Sequence, residues 1–257
     1  MSGPFGYDTA SILTSTLVGG ANAQFNNGSK IAQWVARYFS PAPNTTLNSS
    51  QSNAINECRA AWDGGLAHIV PISSPSQSRL ATSGSTGAAY GTADANTFAS
   101  AIQNATTYVS TLHLPVGNEL YAYLDVEAAT HLTSNYWDAW AATLDGYRFT
   151  NGTYPLFPSA YVNPPSGFAC GIVSVYGFAV WSSEPETCSN CAPFNAPAFV
   201  PNNCSSPPTQ LWQMMERASN GHCASPCSGV INQNVDLDMA TNSGAPLNNM
   251  LYLSSRP

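Results

Sequence analysis

Apolar and polar residues along this chain switch between two rhythms, and the switches mark out its elements. Segments rich in β-branched and aromatic residues, several alternating with a period of two, read as strands. They are FGYD (5–8), IAQWVARYFS (31–40), LAHIVPI (66–72), LYAYLDV (120–126), LFPSAYV (156–162), FAVWSS (178–183), TQLWQ (209–213) and NVDLDM (234–239). A period near 3.6 reads as helix over 49–65: Ser50 or Ser52 can cap it, Ala54, Ile55, Cys58, Ala61 and Trp62 recur on one face, and Gly64-Gly65 ends it. The same rhythm covers 93–114 and 134–149, and a short helix is expected before the strand at 178. The Gly/Ser/Thr stretch 82–92 reads as a loop.

Strands alternating with helices argue for βα units around a parallel sheet. Eight strand segments in 257 residues, with no dividing linker, predict one α/β domain over 1–257, a closed (β/α)8 barrel of the TIM type. Its C-terminal third should be irregular, because the late helices are short or missing.

Alternation also sorts the strand at 120–126 into two faces. Leu120, Ala122, Leu124 and Val126 share one, while Tyr121, Tyr123, Asp125 and, just beyond, Glu127 share the other. In a barrel the apolar face packs under the helices, and the acids point into the mouth at the strand's C-terminal end, where barrel enzymes keep their active sites. Asp8 ends the first strand, and Asp236 and Asp238 lie in the last. Acids gathered in one mouth raise one another's pKa, which is costly without a purpose. Glycoside hydrolysis uses such a set, with one carboxyl kept protonated as general acid and another ionised beside the reacting carbon. Positions i and i+2 of a strand lie about 6.6 Å apart in backbone, which permits a carboxyl pair without fixing the stereochemistry. Tyr38, Tyr161, Trp181 and Trp212 are candidate platforms for sugar rings, with Gln213 beside the last. Each is also a candidate core aromatic.

Charge narrows the partners. Only 8% of residues are charged, the basic set is Lys30 and six Arg, and the net charge is −7. A phosphate-tracking groove is improbable on such a surface, and nucleic acid is not expected as a partner. No apolar run approaches the roughly 18 residues of a membrane span. Abundant Ser, Thr, Asn, Gly and Pro suit a secreted protein. MSGPFGYD has neither a basic nor an apolar signal region, so a secreted form is expected to have lost its signal. Six Asn-x-Ser/Thr motifs occur, close to the number chance gives in such a composition.

Seven Cys, five of them within 188–227, fit two readings. Cys188, Cys191, Cys223 and Cys227, or His222, could hold zinc, but the second pair is C-x3-C in a loop rich in Pro and Asn. Disulfides stapling an insertion over about 184–230 in an oxidising compartment are the favoured reading. Cys58 should be a buried apolar residue on its helix, with a bridge to Cys170 left open. His68 is expected to be a hydrogen-bonded core residue and His131 a loop residue. Neither joins a ligand spacing, so no metal and no cofactor is expected. GSTGAAYG (84–91) lacks the Gly-Lys-Ser/Thr ending of a phosphate loop and is expected to be a mobile loop by the barrel mouth. No G-x-S-x-G elbow is present.

GYD (6–8), YLDVE (123–127), YPLFPSAYV (154–162), AVW (179–181), LWQ (211–213) and NVDLD (234–238) together resemble the glycoside hydrolase family 25 lysozyme superfamily. GGLAHIVPI (64–72), GTADANTFASAI and LPVGNELYAYLD are more similar to the glycoside-hydrolase-like barrels of domain of unknown function 1906. The resemblance implies Glu127 as general acid and Asp125 as the carboxylate assisting the reacting centre, by supporting attack from the substrate's own N-acetyl oxygen. Asp8 and Asp236 would flank them to bind substrate or tune pKa values, and Asp238 is a further substrate-binding candidate. A secreted hydrolase of peptidoglycan or another N-acetylhexosamine glycan is the expectation. The alternative is a non-catalytic carbohydrate-binding or cell-surface protein on the same barrel.

Overall fold

Phe5 and Tyr7 pack outward under the helices, while Gly6 and Asp8 turn inward, so the first strand, β1 (Phe5–Thr9), already has the two faces of a barrel stave. The structure, a computed structural model, describes residues 4–26, 32–42, 45–115, 119–126, 132–150, 156–164, 168–183, 199, 201–215, 235–241 and 245–257. After β1 come α1 (Ser15–Asn26), β2 (Trp34–Phe39), a 3-10 turn (Leu47–Ser49), α2 (Gln51–Asp63), β3 (His68–Ser73), α3 (Gln77–Leu80) and α4 (Gly84–Tyr108). Next are β4 (Leu112–His113), β5 (Leu120–Val126), α5 (Ser134–Gly146), β6 (Leu156–Val162), α6 (Phe168–Val173) and β7 (Ala179–Ser182). The chain ends with β8 (Thr209–Met215), β9 (Asp236–Ala240), α7 (Ala245–Asn248) and β10 (Leu251–Leu253).

Pairing runs β2-β1-β9-β8-β7-β6-β5-β3 and closes through β2–β3, giving an eight-stranded TIM-type barrel. Seven strands are parallel; β9 runs antiparallel to both β1 and β8. That reversal departs from a regular (β/α)8 plan, and register shifts at Val180/Trp181 and Gln213/Met215 mark the neighbouring strands. Beyond Ala240 the chain therefore leaves at the opposite end of the barrel, where α7 and the antiparallel β10 follow. There Leu247 and Met250 pack on the interior cluster and β10 pairs with β3 and β4.

Two apolar layers result. Trp34, Ala36, Val70, Ile72, Tyr123, Tyr161, Ala179, Trp181 and Leu211 fill the barrel, and the other strand faces pack under the helices. Gly6 is required by this filling: a Cβ there would lie 2.1 Å from the Trp34 indole. Glycines also explain where the sequence reading of 82–92 failed. The stretch is the start of α4, not a loop: a Cβ on Gly87 would meet the Thr82 carbonyl oxygen at 2.0 Å, and one on Gly91 the Tyr136 carbonyl oxygen at 2.2 Å. These glycines allow close backbone approach, and the residues that resembled a loop are a helix packed on α5. At its other end α4 stops at Tyr108, and Leu112–His113 form β4 where helix was expected. α1 was not expected at all, since Gly19-Gly20 and few apolar residues weaken its periodicity.

Arg37 and Glu57 are fully buried between β2 and α2, with Arg37 Nε donating to Glu57 Oε2 at 2.7 Å. Arg37 Nη1 also donates to the Thr9 carbonyl (2.8 Å), and Glu57 Oε2 accepts from the Leu13 backbone N–H (3.0 Å). Arg37 Nη2 donates to Glu57 Oε1 and to the Thr45 carbonyl (3.3 Å each), so each nitrogen and oxygen of the pair has a partner, the condition under which a buried ion pair is tolerated. Beside it Cys58 is free and buried, its thiol pushed up to about 12 by desolvation and then by Glu57. Cys170 bonds to Cys204 across 34 residues, which removes the open bridge to Cys58. Cys188, Cys191, Cys223, Cys227, His222 and His131 lie outside the described residues. His68 differs from expectation: it is half-buried and its Nδ1 is buried without a hydrogen-bond partner, and burial lowers its pKa. On the far side, Asp94 accepts from Arg79 (2.9 Å) and from the Tyr136 hydroxyl (2.8 Å), joining α3, α4 and α5.

Glu57→Ala should cost about 3–5 kcal/mol, because it strands the Arg37 guanidinium without solvent. Urea unfolding of the variant beside the double variant Arg37→Met/Glu57→Leu checks this, with the double variant expected to be the more stable of the two.

Candidate active site

β5 presents its side chains as alternation requires. Leu120, Ala122, Leu124 and Val126 lie in the layer under the helices, Tyr123 lies in the barrel interior, and Asp125 is buried at the C-terminal end of the strand. Glu127 lies outside the described residues. Asp125 pairs in register with Tyr161 on β6, and Tyr161 with Trp181 on β7. The two rings meet at 4.7 Å between centroids.

On the other side of the mouth, antiparallel pairing sets Asp8 opposite Asp236, and Asp238 opposite both Gly6 and Gln213. Asp8 is 8% exposed and Asp238 fully buried, while Asp236 is half-buried. Two hydrogen bonds tie this side to the aromatics: the Tyr161 hydroxyl donates to Gln213 Oε1 (2.7 Å), and Trp181 Nε1 donates to Asp238 Oδ1 (3.2 Å). Tyr123 stands edge-on to Trp181 at 5.7 Å, and Trp34 does so from below at 6.0 Å. The acids thus rest on an aromatic floor rather than in open solvent.

Burial sets the electrostatics. Desolvation, then repulsion from Asp236, holds the Asp238 carboxyl well above the ordinary aspartate range, against hydrogen bonds from Trp181 and Asp8. Desolvation also raises the Tyr123 hydroxyl well above its usual range. The acids of the site thus differ in burial, with Asp238 fully enclosed and Asp236 half-buried.

Of the sequence candidates, Asp8, Asp125, Tyr161, Trp181, Gln213, Asp236 and Asp238 are brought to this end of the barrel. Tyr38, half-buried, packs against the interior cluster from β2. Trp212 is a correction: it is 1% exposed in the layer under the helices, edge-on to Phe199 at 6.1 Å, and cannot face a ligand in the mouth. Strand parity is the reason, since Gln213 turns inward and its neighbour must turn out. Trp181 and Tyr161, at 0% and 3% exposure, form the floor under the acids. Tyr123 was not among the candidates, although its place two residues before Asp125 puts it on the same face. Among the described residues no cluster of three or more His, Cys, Asp or Glu could hold a metal ion.

No protein-family model and no curated protein matches the chain. The fold does match solved structures. An uncharacterized B. stearothermophilus protein superposes with a TM-score of 0.64 at 19% identity, over 96% of this chain and 100% of that one. The spore cortex lytic enzyme SleM of Clostridium perfringens gives 0.53 at 13%, over 95% of this chain and 69% of that one. GHIP of Streptococcus pneumoniae, a glycosyl hydrolase 25 and virulence factor participating in host cell invasion, gives 0.52 at 12%, over 96% and 92%. At these identities the likeness is one of fold: this chain has a barrel that glycoside hydrolases also use.

Tyr161→Phe leaves the buried Gln213 carbonyl without its hydroxyl donor and should cost about 1–3 kcal/mol. In a double-mutant cycle with Gln213→Leu the two losses should be far from additive by chemical denaturation.

Proposed function

We propose that this chain is a secreted glycoside hydrolase that cleaves peptidoglycan or another N-acetylhexosamine-containing glycan by carboxylate acid catalysis. The observation that carries this reading is the gathering of Asp8, Asp125, Asp236 and Asp238 from three strands onto one aromatic floor at the barrel's C-terminal end. Like charges are expensive to bury together, and a glycosidic bond gives them work: a proton for the leaving oxygen and negative charge beside an oxocarbenium-like carbon. Glu127, which follows Val126 at the end of β5, is the proposed general acid. Asp125, two residues earlier on the inward face, is the proposed assisting carboxylate. It would orient the substrate's N-acetyl group for attack, as the resemblance to family 25 lysozymes implies. Asp8 and Asp236, with Tyr38, would bind the sugar, and Asp238, Tyr161, Trp181 and Gln213, buried beneath them, would hold those groups in position.

Three further observations support the reading. The fold is shared with a spore cortex lytic enzyme and with a glycosyl hydrolase 25. The Cys170–Cys204 disulfide suits an oxidising compartment. Among the described residues, no helix is long and apolar enough to cross a membrane.

Turnover of peptidoglycan, chitin and other glycans by the purified chain is the test. Glu127→Gln should lower kcat by at least about 100-fold, the scale of a lost general acid, with glycan affinity and circular dichroism kept. Unchanged turnover would remove Glu127 from the role. A wild-type chain that binds these glycans and cleaves none would instead be the carbohydrate-binding protein.

A further inference from the structure

Asp238 has an unusual position even within this site. It is fully buried on β9, its Oδ1 accepts from Trp181 Nε1 at 3.2 Å, and its Oδ2 is buried with no N–H or hydroxyl donor. Antiparallel pairing brings Asp8 of β1 against it, two residues along from the opposing Gly6, and both the carboxyl and the backbone N–H of Asp8 act on the Asp238 side chain. Ionised carboxylates only accept hydrogen bonds, so two of them in contact without solvent repel, whereas one proton between them turns repulsion into a charge-assisted bond. We propose that Asp238 carries that proton and donates it to Asp8, as a positioning residue that holds Asp8 ionised and aimed at the barrel mouth.

The surroundings decide which of the two holds the proton. Asp238 has no solvent access and Asp8 retains some, so charge is less costly on Asp8. Asp236, two residues along the same strand and half-buried, repels charge on Asp238. The groups facing the pair offer Asp238 no cation. Trp181 on β7 supplies a neutral N–H, Gln213 on β8 is committed through its carbonyl to the Tyr161 hydroxyl, and Arg37 on β2 turns to Glu57 on the outer face. Both Asp238 and Asp236 reach Asp8 only because β9 is antiparallel, which lays the DLD segment along β1. The pair then carries a single negative charge, and Asp8 becomes a fixed acceptor for a sugar hydroxyl or amide N–H. That last role rests on the glycosidase reading; the shared proton does not.

Two measurements test the pair. In protein labelled at its aspartate carboxyl carbons, NMR titration from about pH 4 to about pH 8 should show one carboxyl still protonated at neutral pH, well past the ordinary aspartate range. The signal should vanish in Asp238→Asn. A wild-type spectrum in which every aspartate ionises in the ordinary range overturns the proposal, and needs no variant to fold. A protonated signal that persists in a folded Asp238→Asn also overturns it. For the positioning role, Asp238→Ala should lower kcat/KM on the glycan substrate at least about tenfold, as expected when a group at a reacting centre is displaced. Asp238→Asn, which keeps an N–H donor toward Asp8, should recover most of the loss. An Asn variant as impaired as the Ala variant overturns the role. If the wild type cleaves no glycan, the glycosidase reading fails while the titration still decides the proton.

Discussion

A guanidinium and a carboxylate with no access to solvent, Arg37 and Glu57, hold the outer wall of the barrel at the point where Asp8 leaves β1. Neither could be buried alone, since the desolvation of a single charge would cost several kcal/mol or more. Together they consume the Thr9 carbonyl, one residue beyond Asp8, and the Leu13 N–H in the connection that follows. Arg37 also reaches the Thr45 carbonyl ahead of α2. The pair therefore ties two strand-to-helix connections to one strand and one helix. The inward carboxyl of Asp8 is presented from a backbone that cannot easily move.

Inside the barrel the polar problem is solved differently. No cation faces the acids among the described residues; aromatic rings and their polar tips do that work instead. Trp181 is at once a packing block against Trp34, Tyr123 and Tyr161 and a hydrogen-bond donor to Asp238. Tyr161 combines a buried ring with a hydroxyl given to Gln213. A floor built this way is rigid, because each ring is fixed both by its neighbours and by its polar end. Such a floor holds the acids in place from beneath.

Much of this was legible in the residues themselves. The eight barrel strands, α2, α5 and the two faces of β5 follow from apolar periodicity, because side-chain direction along a strand or helix is a local property. The same periodicity predicts that Trp212 and Gln213 face opposite ways, and only the attraction of a Trp as a sugar platform hid it. What periodicity missed were places where a residue serves a distant partner. Gly87 and Gly91 look like loop residues, yet their missing side chains are what let α4 approach Thr82 and the backbone of α5. His68 looks like a satisfied core residue, but no donor or acceptor from another strand meets its Nδ1.

By itself the sequence determined which side chains point into a barrel and which acids stand near strand ends, since both are consequences of alternation along one segment. The direction of β9, the meeting of Asp8 with Asp238 and the use of Trp181 as a donor to Asp238 were decided only by tertiary structure. Strand direction depends on the connections around the whole barrel. The state of a buried carboxyl depends on which groups distant segments bring against it once water has gone.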